Sequence, residues 1–269
     1  MKLSKFDFLL IRDRFDANVS NYTVDEILHL IYQLGDLYSS QFMVEDDYTE
    51  INQLLSKFYN AEYDITNVME RLTPECSTVL STCVFHGEKQ NCSDLFTLSK
   101  TADGFCCTFN YITERDDRAK NLQYLSVLNI NIKFVHQVMI FRPYDFPDPD
   151  TGASEILVSP LTEKFVNVKA TGLYSTDSIR GYDISKRKCI FSNENRLFYS
   201  TYTYSDCIVD CRMKYVWKTC KCRVFYFPRR DSVRTCNTED IDCLNETKGE
   251  ITTYIVNHAT VNYSQMFVP

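Results

Sequence analysis

Cysteine is the residue type with most chemistry to offer here: there are twelve, and seven fall between Cys189 and Cys243. They run Cys189, Cys207-x3-Cys211, Cys220-x-Cys222, Cys236 and Cys243. Zinc fits this pattern poorly, because Cys220-x-Cys222 has the wrong spacer, no histidine lies between Cys189 and Cys243, and no Cys-x2-Cys units are paired. The density reads instead as a disulfide framework formed in an oxidising compartment. No metal site and no cofactor are expected. The four histidines, at positions 29, 86, 136 and 258, are scattered. None sits in a metal-binding pair or a nucleophile elbow, and the seven glycines are too dispersed to cradle a phosphate. Adjacent carboxylates such as Asp46 and Asp47 do not face each other as a general acid/base pair would. No catalytic residues are nominated, and the chain does not read as an enzyme.

Five tripeptides satisfy the rule for N-glycosylation, at Asn18, Asn21, Asn91, Asn245 and Asn262, which agrees with the cysteine usage. A formal net charge of −7 disfavours nucleic acid as a partner. The acidic runs Glu45-Asp46-Asp47 and Asp145 to Asp150 read as exposed loops. The N-terminal apolar run Phe8-Leu9-Leu10-Ile11 is too short for a secretory leader, and polar residues break every longer apolar stretch. A secreted cysteine economy without a visible route out of the cytosol leaves two readings. Either the thiols are cytosolic after all, or the chain is the ectodomain piece of a longer membrane protein.

The elements that must position these residues change character along the chain. Thr23-Val24-Asp25-Glu26 is a capping box ahead of Ile27, Ile31 and Leu34 on one helical face. Ile51, Leu54, Leu55 and Phe58 mark a second helix, and Ile65, Val68, Met69 and Leu72 a third. Pro74 opens a fourth, carrying Cys76, Val79, Leu80 and Cys83. After Cys107 the texture becomes strand-like over Leu122 to Ile140, Glu155 to Leu161 and Phe165 to Tyr174, rich in Val, Ile, Phe and Tyr and bounded by Pro and Gly. With no helical pattern between them, these strands should pair antiparallel. Helix returns from Ser205 to Trp217, with Ser205 and Asp206 as cap candidates and Cys207 and Cys211 on one face.

Two ordered blocks carry a resemblance to a known family. The first reads Arg187-x-Cys189-x-Phe191-x2-Glu194-x2-Leu197-Phe198, Tyr202-x4-Cys207-x3-Cys211, then Cys220-x-Cys222-x4-Phe227-Pro228 with a cysteine beyond. The second reads Leu80-x2-Cys83-x-Phe85-x-Gly87, Cys92-x2-Leu95-Phe96 and Gly104-Phe105-Cys106-Cys107-Thr108-Phe109-Asn110. Together they resemble the degenerin / epithelial sodium channel (DEG/ENaC) family, pickpocket type, over roughly residues 70 to 250. The resemblance implies an α+β fold, with a central antiparallel palm and beta-ball sheet, peripheral finger helices and a disulfide-stapled helical thumb. It divides the chain into 1–110, a finger-like region entering the palm; 111–188, palm and beta-ball strands; 189–250, the cysteine-rich thumb; and 251–269, a truncated return toward the palm. It pairs Cys83 with Cys92, Cys220 with Cys243 and Cys222 with Cys236, and makes Cys76 and Cys107 an extra pair of the insect type. Cys189, Cys207 and Cys211 would join cysteines that follow the thumb, and Cys106 one that follows the first membrane helix. These four are therefore expected unpaired through truncation.

The implied function is that of the ectodomain of an amiloride-sensitive sodium or other cation channel subunit, gated by ligand, protons or mechanical load. It would sit on the extracellular face of the plasma membrane, with other channel subunits as trimer partners, sodium ions as permeant species and membrane contact only through missing segments. A soluble disulfide-rich extracellular binding module without a pore, and a cytosolic metalloprotein, are the competing classes.

Overall fold

The computed structural model describes residues 29, 33–34, 37, 48–58, 63–112, 127–133, 136–159, 161–169, 176–183, 186, 191, 194, 203–228 and 233–247. Within them lie helices α1 (Thr49–Phe58), α2 (Ile65–Leu72), the single turn α3 (Cys76–Val79), α4 (Cys92–Leu95) and α5 (Tyr204–Cys220). The strands are β1 (Leu80–Phe85), β2 (Glu88–Gln90), β3 (Phe96–Thr101), β4 (Gly104–Phe109), β5 (Leu128–Ile132), β6 (His136–Ile140) and β7 (Ser154–Val158). Three small sheets result, in the orders β2-β1-β5, β3-β4 and β6-β7, with antiparallel β1–β2, β1–β5 and β6–β7 pairs. The chain separates into two compact units, one of residues 1–75, 99–106 and 213–249, the other of residues 76–98, 107–212 and 250–269.

In the first unit, α1 and α2 follow their apolar spacing. Ile51 and Leu55 of α1 and Ile65, Val68 and Met69 of α2 are buried, and Asp64 caps α2 by accepting from the Thr66 N–H at 2.9 Å. A 3-10 turn at Thr238–Asp240 closes a reciprocal capping box on Asn237. It meets α1 through Asn52 Nδ2, which donates to Glu239 Oε1 at 2.6 Å, while the Tyr63 hydroxyl donates to Asn52 Oδ1 at 2.7 Å. Phe225, the largest fully buried side chain among the described residues, stacks on Phe105 with ring centroids 6.1 Å apart. The loop after α5 is stitched by Arg223: its N–H donates to Arg234 O, its carbonyl accepts from Cys236 N–H, and its guanidinium donates to Phe227 O at 2.6 Å.

In the second unit, Cys76, Leu80, Cys83, Phe85, Cys92, Leu95 and Phe96 form the apolar core, with Leu128, Ile130 and Ile132 of β5 packed against it. The expected fourth helix ends after one turn, and Leu80 and Cys83 lie on a strand instead. The reason is pairing on both edges of β1, which satisfies its backbone better than a short helix ending in the β-favouring Val84 and Phe85. His86 and Gly87, both at positive φ (54° and 82°), form the two-residue turn that joins β1 to β2. Residues 162–169 take no strand pairing and are exposed, Phe165 among them, although their composition reads as strand.

Candidate functional site

Three features stand out: a bridged cluster around α3 to β4 and a second beyond α5, both where the cysteines fall, and a carboxylate-lined seat for the start of α5. In the first, Cys76–Cys107 and Cys83–Cys92 are disulfides with Cα separations of 5.6 and 5.3 Å. In the second, Cys220–Cys243 and Cys222–Cys236 are disulfides at 5.8 and 4.9 Å. In each cluster the shorter loop is enclosed by the longer, with sequence separations of 9 within 31 and 14 within 23. Closing such loops restricts the unfolded chain and stabilises by about 2.6 to 3.7 kcal/mol each.

Cys106 is a half-buried free thiol 3.3 Å from the Thr101 hydroxyl, and burial pushes its pKa above the ordinary value. Cys207 is buried and Cys211 half-buried on α5, both outside these four bridges. Cys189, Asn18, Asn21 and Asn262 lie outside the described residues. Asn91 is exposed at the cap of α4, and Asn245 is half-buried in a helical stretch over 241–247. Among the described residues, the nearest thing to a metal-ligand set is Cys222, Cys236 and Asp240. Both sulfurs are consumed by one bridge, and Asp240 accepts from the Arg234 guanidinium and from the Asn237 N–H. That is a structural corner and not an ion site.

The seat of α5 was not apparent from the sequence. Asp145 and Asp148, read there as part of an exposed acidic loop, are buried, at 8% and 1% exposure. Their burial is possible because each has a cation: Arg142 Nε reaches Asp145 Oδ2 at 2.7 Å, and Arg212 of α5 pairs with Asp148 and also with Asp150 at 2.8 Å. Asp148 also fixes its own loop. Its Oδ1 accepts from the Asp150 N–H, its carbonyl accepts from Thr151, and Gly152 at φ 108° ends the 3-10 turn. Burial nevertheless raises the Asp148 pKa, with Arg212 pulling the other way.

The first turn of α5 presses onto the same loop. Ser205 Oγ donates to Phe146 O at 2.6 Å and lies 3.0 Å from the Thr151 hydroxyl. Ser205 and Asp206 are not the cap, as their types suggested, because both are buried inside the helix. Thr203 caps instead, its hydroxyl accepting from the Asp206 N–H at 3.1 Å. Burial pushes the Asp206 carboxyl up to about 7, with Asp145 adding to the rise and Thr203 opposing it. Tyr111 packs edge-on against Phe141 at 5.4 Å, and burial, then Asp206 and Asp145, raise its hydroxyl pKa. A carboxyl group that changes charge near neutral pH thus sits within the helix's anchorage. The Phe146-Pro147-Asp148-Pro149-Asp150 run, with its turn-forming Asp-x-Asp, was the available signal.

Among the described residues no helix is long and apolar enough to cross a membrane. A family model described as "Amiloride-sensitive sodium channel" matches residues 7–265. The chain is 28% identical over 239 residues to "Sodium channel protein Nach" of Drosophila virilis, covering 80% of this chain and 61% of that protein. It is 29% identical over 222 residues to "Pickpocket protein 19" of Drosophila melanogaster, covering 71% and 43%. The Nach protein of Drosophila melanogaster is 27% identical over 252 residues, covering 79% and 47%. The chain therefore spans about half the length of the curated relatives it matches.

Proposed function

The chain belongs to the amiloride-sensitive sodium channel family, and on that premise we propose that it is the extracellular part of a gated sodium channel subunit with no catalytic role. It acts together with other subunits in a trimer at the plasma membrane. Sodium passes through membrane segments outside this chain, and opening follows ligand, protons or mechanical load, with amiloride as blocker. In this reading, residues 1–110 are the finger-like region entering the palm, residues 111–188 the palm and beta-ball, residues 189–250 the thumb and residues 251–269 the return toward the palm.

The observation that carries the reading is the treatment of α5. Seventeen residues of helix have their first turns seated by Ser205 and Arg212 on the Phe146–Gly152 loop, and their last residue, Cys220, is bridged to Cys243. A helix secured at both ends resists bending, so a displacement applied at one end is not absorbed along its length. The titrating Asp206 at the seated end gives protons a place to act.

Expressing the full-length subunit in oocytes, alone and with pickpocket-type partners, tests this. Amiloride-blocked sodium current is expected, and residues of this chain should be labelled from outside intact cells. A surface protein whose chain is labelled only after permeabilisation would defeat the extracellular assignment.

A further inference from the structure

We propose that Asn91 carries an N-linked oligosaccharide, and that the polar end of the second unit, formed by the β1–β2 turn and α4, therefore faces solvent and not a neighbouring subunit. The inference rests on the extracellular reading above. Asn91-Cys92-Ser93 is one of two acceptor tripeptides within the described residues, the other being Asn245-Glu246-Thr247. The two have opposite geometry.

At Asn91 the backbone is extended (φ −69°, ψ 129°), and the side-chain Oδ1 accepts from the Ser93 N–H at 3.3 Å. This Asx turn brings the side chain of the first residue beside the third. It also leaves Nδ2, the atom to which a sugar attaches, with no hydrogen bond to a described residue, so modification costs the fold nothing it already has. Cys92 between them points the other way, buried and bridged to Cys83, while Asn91 and Ser93 are both exposed. The bridge that occupies the middle residue thereby fixes the outward direction of its neighbours.

At Asn245 the tripeptide is helical, so its first and third side chains diverge by roughly 200° around the axis. Thr247 is 2% exposed, and its hydroxyl donates to Leu244 O at 3.0 Å. The folded protein presents one acceptor and conceals the other.

The surroundings agree. His86, Gly87, Glu88, Lys89, Ser93 and Asp94 are all exposed. The large exposed apolar side chains, among them Leu157, Leu161, Phe165 and Val168, belong to other segments. In the transfer, Nδ2 attacks C1 of an oligosaccharide carried as a lipid-linked diphosphate. The new bond is N–C1, the C1–O bond breaks with its electron pair leaving on the diphosphate, and one Nδ2 proton passes to the transferase. The bulky, hydrated product occupies space that a subunit contact would need.

The full chain is expressed in insect cells behind a cleavable secretory leader, and treated with peptide N-glycosidase in heavy-oxygen water. Peptide mass spectrometry is expected to show the conversion that marks an occupied acceptor at position 91, absent in N91Q and in S93A, which keeps the Asn91 cap, and retained in S93T. Secreted, fully bridged chain that is bare at position 91 overturns the site. Occupancy in the leader-directed chain but not in the full-length subunit expressed without the added leader would leave the site standing and refute the extracellular placement. In the assembled native channel the glycan should be released by endoglycosidase without denaturation, and resistance there would overturn the solvent-facing assignment.

Discussion

Asp206→Asn should flatten the pH dependence of stability. In the fold this carboxyl is 3% exposed and titrates at about 7, against an ordinary value of 3.8. The groups facing it are the Asp145 carboxylate, held by Arg142, and the Tyr111 hydroxyl. Because the folded value lies above the unfolded one, the protonated form is favoured by folding. That contribution is complete below pH 3.8 and is lost as pH rises, levelling off above about 7. Linkage over this interval predicts that the native chain loses about 2–3 kcal/mol of stability between pH 5 and pH 8 through this group alone. The amide of asparagine keeps an acceptor for the Phe146 N–H and cannot ionise, so the variant forgoes only about 1 kcal/mol of hydrogen bonding. Urea unfolding of the secreted, oxidised chain at half-unit pH steps gives both curves. The difference between native and variant should change by about 2–3 kcal/mol from pH 5 to pH 8, with the variant the more stable partner at pH 8. Parallel curves would show that burial does not hold the proton on Asp206, and the pH-responsive seat of α5 would fall with it.

Removing the Cys222–Cys236 bridge by a double serine replacement should cost about 3 kcal/mol, and removing Cys76–Cys107 about 3.7 kcal/mol, as their loop lengths dictate. Denaturant midpoints in the opposite order would refute the loop argument. Arg212→Met should destabilise by about 3–5 kcal/mol because it strands the buried Asp148 carboxylate, and adding Asp148→Asn should recover part of the loss. Equal unfolding free energies for the single and double variants would contradict the ion pair. Phe225→Ala should cost about 3–5 kcal/mol by emptying the space under Phe105, measurable by the same titration.

What was legible in the sequence tracks how local the deciding interaction is. Ile51 and Leu55, or Ile65, Val68 and Met69, announce α1 and α2 because one helical face meets one core. Leu80 and Cys83 share the same three-residue spacing, yet they lie in β1. The partner that decides, β5, begins at Leu128, beyond any local window. For the β3–β4 hairpin the local signal is Asp103-Gly104 at its turn. Among the described residues Phe165, Val166 and Val168 have strand composition but pair with no strand, and propensity alone does not make one. Asp145 and Asp148 illustrate the same limit for the site. Their charge predicts exposure; Arg142, close in sequence, offsets it for Asp145, but for Asp148 the cation is Arg212, far along the chain. The family resemblance supplied what spacing could not, since twelve cysteines admit many pairings and nothing local chooses among them.

The hairpin that carries Cys106 and Cys107 has a consequence for biosynthesis. Successive side chains of a strand point to opposite faces, so only one of these neighbours can reach Cys76, and a one-residue slip of β4 would exchange them. The turn prevents the slip: the Thr101 hydroxyl holds Gly104 O at 3.1 Å, and Gly104 sits at φ 90°. Cys106 is then left as a protonated, sheltered thiol, a poor attacker of the bridge beside it. On the extracellular reading proposed above, the first pair of bridges uses no cysteine beyond residue 107, so neither depends on the second cluster. The cysteines thus divide into two separate pairing problems, one closed by residue 107 and one opened after it.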